Sequence, residues 1–128
     1  MDIFLKSRPD TTEKLIQLLK IIRPDVAIRS DLDGAATVVA FPDESYLWLW
    51  QPDDWDGETS LTGAIHVKFA SQDEFENSHA RVKSTYPDLE TTAIEDLSPF
   101  LTYTYHLYKV SLAGVTFEVC YEPPHDWP

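Results

Sequence analysis

VAIRSDLDGAATVVAFPDESYLWLW, residues 26–50, is the stretch whose reading decides the fold. Three runs within it, Val26 to Ser30, Ala35 to Phe41 and Ser45 to Trp50, are rich in β-branched and aromatic residues. Asp31-Leu32-Asp33-Gly34 and Pro42-Asp43-Glu44 separate them with good turn chemistry. The stretch therefore predicts a three-strand antiparallel meander. With even loops at both turns, alternation puts Val26, Ile28, Val39, Phe41, Tyr46, Trp48 and Trp50 on one face. Ala27, Ala36, Val38, Ala40, Leu47 and Leu49 then take the other. Both faces are apolar, and the alanine-rich one suits a closely packed helix. That leaves the aromatic face to be core, pocket or interface.

Working outward, Asp10 to Arg23 predicts a helix, with Leu15, Leu18, Leu19 and Ile22 at helical spacing and Pro24 as its stop. Asp10 and Glu13 form a capping-box-like pair at its start. Beyond the meander, Gln51 to Gly63 is a long acidic connection and Ala64 to Phe69 a fourth strand. Ser71 to Tyr86 reads as the second helix, capped by Ser71 and striped by Phe75, His79, Val82 and Tyr86 before Pro87. Leu89 to Ile94 is a weaker strand. Phe100 to Leu112 and Val115 to Glu122 make a hairpin about Ala113-Gly114, with Lys109 opposite Glu118. The expected class is α+β. Two helices lie on a mostly antiparallel sheet of about six or seven strands, in the order α-β-β-β-β-α-β-β-β.

The chain has 128 residues, the size of a single globular domain over 1–128, and nothing in its sequence repeats. Its net charge of −12 is unevenly distributed. Residues 1–29 balance to +2 and residues 30–128 to −14. From Ser30 to Val67 there is no Lys or Arg, but there are eight carboxylates: Asp31, Asp33, Asp43, Glu44, Asp53, Asp54, Asp56 and Glu58. Such a charge repels nucleic acid and anionic membranes and speeds encounter with basic partners. Direct nucleic-acid binding is not expected. The N-terminus shows no basic leader followed by a long apolar run, and no window is apolar enough to span a membrane, so the reading is a soluble cytoplasmic protein.

Most chemistry-bearing patterns fail on inspection. Centring a calcium loop on Gly34 puts Arg29 first and Ala40 last; centring it on Gly57 puts Pro52 first and Gly63 last. His66, His79, His106 and His125 have no paired spacing and no cysteine pair, so neither a metal nor a cofactor is expected. His79, on the helix stripe, reads as a satisfied interior histidine. His66, on a polar strand face, and His106, among Tyr103, Tyr105 and Tyr108, are the imidazoles suited to ligand contact. Cys120 lies between Glu118 and Glu122 on one strand face, where carboxylates raise a thiol's pKa, so it is expected to be packed rather than nucleophilic.

Charge and composition thus lead to a non-enzymatic acidic protein-binding module facing a basic protein, such as a toxin or a nucleic-acid-binding protein. Its expected contacts are Asp43, Glu44, Asp53, Asp54, Trp55, Asp56 and Glu58, with Trp55 as the aromatic anchor. In composition and size the chain resembles small acidic immunity proteins and nucleic-acid mimics that inhibit toxins or nucleases. The ordinary reading of the same acids is a solvated surface. The alternative is a small-molecule binder or small enzyme with an aromatic pocket of Tyr46, Trp48, Trp50, Tyr103, Tyr105 and His106. A third reading is an oligomerising subunit, for instance a homodimer through the aromatic face.

Overall fold

The computed structural model describes residues 1–52, 55, 57–59 and 61–125. Among them, two helices and eight strands form a mixed α+β fold with two four-stranded sheets. The chain divides into two compact units.

The first unit comprises residues 1–62 and 112–115. It runs β1 (Asp2–Lys6), α1 (Pro9–Ile22), β2 (Ala27–Asp31), β3 (Ala36–Ala40) and β4 (Tyr46–Trp50), with sheet order β1-β4-β3-β2. The predicted meander is present, antiparallel at both junctions. Strand β1 was not legible in the sequence because five residues with three apolar ones give too little period. It pairs in parallel with β4, Phe4 beside Trp48, and α1 lies on the path between the two strands. Helix α1 begins one residue before Asp10. Arg8 is its N-cap without a side-chain bond and Pro9 occupies the first turn. Asp10 thus lies inside the helix, and the capping-box expectation is corrected.

The faces of the meander also differ from expectation. The first turn does keep Ile28 beside Val39. The second turn, residues 41–45, is odd in length, so Leu47 falls beside Val39 and Trp48 beside Val38. Leu5, Val39, Leu47 and Leu49 are buried on one face, and Thr37 of that face lines a cleft with Pro9, Thr12 and Ile16 of α1. The helix therefore stands on the leucine face, with Leu15, Leu18, Leu19 and Ile22 buried. Phe4, Tyr46, Trp48 and Trp50 share the opposite face with the alanines.

The second unit comprises residues 63–111 and 116–128. It runs β5 (Ile65–Phe69), α2 (Gln72–Thr85), β6 (Glu95–Asp96), β7 (His106–Leu112) and β8 (Val115–Tyr121), ordered β5-β8-β7-β6. Ser71 caps α2, accepting from the Glu74 N–H at 3.3 Å, as its sequence predicts. Of the helix stripe, Phe75 and Val82 are buried together with Ser78. His79 places Nε2 2.8 Å from the Thr92 carbonyl, a paired histidine at the helix edge. Ala113 and Gly114 both have positive φ, which a two-residue hairpin turn of the favoured twist needs. Strand β7 begins at His106 rather than Phe100, because Ser98–Phe100 form a 3-10 turn.

The expected order is thus corrected to β-α-β-β-β-β-α-β-β-β in two sheets, each with one parallel pair. One β-α-β-β-β plan occurs twice, with matching sheet orders, although the sequence does not repeat. Among the described residues, no helix is long and apolar enough to cross a membrane.

Candidate functional site

In each unit one sheet face carries the helix, and the face without a helix is termed the open face. In the second sheet α2 takes the face of Phe69, Tyr108 and Tyr121, whose rings lie 6.5, 5.6 and 6.3 Å from that of Phe75. Strand alternation then turns His66 and Lys68 of β5, with Glu118 and Cys120 of β8, to the open face. His66 Nε2 lies 3.0 Å from Glu118 Oε2, and Lys109 Nζ 3.3 Å from Glu118 Oε1. The Lys109–Glu118 pair is the one the hairpin sequence predicts. Lys68 Nζ reaches Glu122 at 3.7 Å, and His125 Nε2 reaches the other Glu122 oxygen at 2.8 Å.

This is an unusual concentration of cations for the acidic part of the chain. Residues 30–128 contain four Lys and Arg, and two of them, Lys68 and Lys109, engage this carboxylate pair. The His66 side chain is 61% exposed while Glu118 is 21% exposed, so an accessible imidazole is held by a more sheltered carboxylate. A carboxylate on one ring nitrogen fixes the imidazole and leaves the other nitrogen to exchange a proton with a ligand. Between the two glutamates, burial pushes the Cys120 thiol above its ordinary pKa, with the Tyr105 hydroxyl partly offsetting it. Burial and the neighbouring Cys120 likewise push the Tyr105 phenol up. Both groups stay neutral at pH 7, so Cys120 is not an activated nucleophile.

His66 and Glu118 could offer two metal ligands, where a catalytic zinc takes three from the protein. Among the described residues no three His, Cys, Asp or Glu side chains gather in a metal-holding group.

The open face of the first sheet is aromatic. Phe4 and Trp48 stack with ring centres 5.2 Å apart and planes 19° from parallel. The Arg29 guanidinium lies 5.5 Å from the Tyr46 ring centre and 5.8 Å from that of Trp48. The Trp48 indole N–H is buried and has no hydrogen-bond partner among the described residues.

The residues of the expected aromatic pocket divide between these settings. Tyr46, Trp48 and Trp50 share the open face of the first sheet. Tyr103 and Tyr105 precede β7, edge to face at 6.3 Å, and Tyr103 also stacks on His125 at 4.4 Å. His106 is on the α2 side, its ring near Phe75 and Tyr121 and its Nε2 3.4 Å from Asp96. Of the acidic set, Asp43 and Glu44 sit in the turn between β3 and β4, where Asp43 accepts from the Ser45 N–H at 3.0 Å. Asp53, Asp54 and Asp56 lie outside the described residues. Trp55 is half-buried and folds over Gly57, where an added Cβ would come within 2.9 Å of its indole nitrogen. Glu58 lines a cleft with Arg8, Thr11 and Thr59.

Sequence reasoning did not assign Phe4, Arg29, Lys68, Lys109 or Glu118 to a site. The Lys109–Glu118 pairing was the available signal. Adding His66 to it required the parallel register of β5 on β8, which sequence alternation does not encode.

No protein-family model and no curated protein matches the chain. Solved structures do match its fold. A glyoxalase/bleomycin resistance protein/dioxygenase from Alicyclobacillus acidocaldarius is 13% identical, covering 95% of this chain and 89% of its own, at a TM-score of 0.64. A glyoxalase/bleomycin resistance protein from Albidiferax ferrireducens T118 is 8% identical, covering 94% and 97%, at 0.65. The fosfomycin resistance protein FosX from Listeria monocytogenes is 12% identical, covering 94% and 90%, at 0.60. The chain thus resembles the glyoxalase/bleomycin-resistance fold. This corrects the expectation of a non-enzymatic, immunity-type inhibitor or nucleic-acid mimic that charge and composition suggested. Overall charge describes a surface and does not report the fold beneath it.

Proposed function

We propose that the chain is a small-molecule-binding protein or enzyme whose ligand is held on the open face of the second sheet. The observation that carries this is the exposed His66 imidazole, fixed by Glu118 at 3.0 Å, with Lys109 at 3.3 Å from the same carboxylate. In this reading His66 exchanges a proton with the ligand and Glu118 orients it. Lys109 and Lys68 supply positive charge for an acidic or polarised group on the ligand. Support comes also from the neighbours in fold, two described as glyoxalase/bleomycin resistance proteins, one of them also as a dioxygenase, and one as a fosfomycin resistance protein. An enzyme need not carry a cysteine nucleophile, and the neutral Cys120 fits a packing role beside the pair.

The test is a thermal-shift screen of small organic acids, aldehydes and ketones against the wild type, His66→Ala and Glu118→Gln. A ligand that binds only the folded state raises the melting temperature in proportion to its occupancy. The expected result is a set of compounds that stabilise the wild type and lose their effect in both variants. Compounds that stabilise all three proteins equally, or a screen without any stabiliser, would count against the site.

A further inference from the structure

From the second unit we infer a latch: His125 ties the C-terminal tail to the segment before β7 and so closes a roof over the Cys120 end of the open face. Cys120 lies on that face by strand alternation, between Glu118 and Glu122, yet it is 1% exposed while its neighbours His66 and Lys68 on β5 stay exposed. Tyr105 lies over it, with its hydroxyl hydrogen-bonded to the thiol. The backbone of Tyr105 is fixed, its carbonyl accepting from the Leu97 N–H at 2.9 Å and its N–H donating to Ser98 Oγ at 2.9 Å. What can swing is therefore its side chain, which Tyr103 supports edge to face at 6.3 Å.

Tyr103 is held in turn by the tail. Its ring stacks on that of His125 with centres 4.4 Å apart and planes 7° from parallel, and His125 Nε2 donates to Glu122 Oε2 at 2.8 Å. The two side chains of that pair are 17% and 11% exposed, so the bond is shielded from water and salt. The other Glu122 oxygen meets Lys68 Nζ at a longer 3.7 Å, and the Glu122 N–H is fixed to the Phe69 carbonyl at 3.1 Å. Glu122 thus stands still at the end of β8 and His125 grips it, with Pro123 and Pro124 keeping the intervening chain stiff. The succession from His125 through Tyr103 and Tyr105 to Cys120 runs through side chains at a chain end, and contacts of that kind open at a fraction of the free energy of global unfolding. Opened, the roof bares the thiol and the face beside Lys68; closed, it shuts water from that end of a bound ligand. That second role rests on the function proposed above, whereas the latch itself is read without any ligand.

Cys120 is the only cysteine of the chain, so its alkylation by iodoacetamide, followed by intact mass at fixed pH, reports the roof. Rates are referred to that of the urea-unfolded protein, which measures the unprotected thiol. The wild type is expected to react slowly and His125→Ala about tenfold or more faster, the effect of losing one charge-assisted hydrogen bond and one ring stack. His125→Phe, which keeps the stack and loses the bond, should fall between them. Low urea, below the unfolding transition, should leave the His125→Ala rate nearly unchanged, since a local opening exposes little surface. A His125→Ala rate equal to that of the wild type, or one rising with urea along the slope of global unfolding, would overturn the inference. Faster labelling in His125→Ala stands whether or not the ligand screen finds a stabiliser, so failure of the site and failure of the latch are told apart.

Discussion

Replacing Trp48 with Phe should stabilise the protein, or leave its stability unchanged. The indole N–H is buried and unpartnered among the described residues. A buried donor left unpaired costs about 1–3 kcal/mol. Phe removes that donor and keeps a ring against Phe4, but gives up about 50 Å² of apolar surface, worth about 1.2 kcal/mol if fully buried. Trp48 is half-buried, so the forfeited amount is smaller. The net expectation runs from no change to about 2 kcal/mol of added stability, against the loss of about 1–3 kcal/mol usual for shrinking a packed side chain. Urea unfolding followed by far-ultraviolet circular dichroism reads it as a midpoint that holds or rises at unchanged slope. A loss of more than about 1 kcal/mol at constant slope would show that the N–H is already paired.

Other outcomes follow from the packing and the shifted groups. Burial pushes the Tyr108 phenol up to about 12, so its stabilisation is complete below pH 10 and is lost as pH rises from 10 through 12. Across that range the wild type should lose on the order of 2–3 kcal/mol more than Tyr108→Phe, read from urea midpoints; parallel alkaline limbs would contradict the burial. The Ser45 hydroxyl bond holds the Asp43 carboxyl below its ordinary pKa, so this contribution is present above about pH 4 and fades as pH falls through the lowered value. Ser45→Ala should make the acid limb shallower, and an unchanged limb would remove Ser45 as its cause. Leu18→Ala, which opens a cavity under α1 where Leu18 is fully buried, should cost about 2–5 kcal/mol by the same measure. A cost under about 1 kcal/mol would mean that the helix does not pack through this face.

The meander and both helices were legible because their periods extend over enough residues to decide, as in Leu15, Leu18, Leu19 and Ile22 of α1. So was the Lys109–Glu118 pair, since a two-residue turn at Ala113-Gly114 fixes the register of its strands. The face of Trp48 was not, because one extra residue between β3 and β4 moves every side chain of β4 to the other side of the sheet. Parallel pairing was equally hidden. Asp2–Lys6 is short, and its partner β4 lies about forty residues away, so no local signal joins Phe4 to Trp48 or His66 to Glu118. Composition carried the greatest error, since acids dominate the count while the open face of the second sheet holds two of the four cations beyond residue 29.

The most direct test of the His66 face is the C–H resonances of its imidazole, followed by NMR while the compounds that stabilise the protein are titrated in. A ligand seated on this face should shift the His66 resonances and the amides of Lys68, Lys109 and Glu118 together, saturating at one ligand per chain. Stabilising compounds that leave all four unmoved would contradict the assignment of the site to His66 and Glu118.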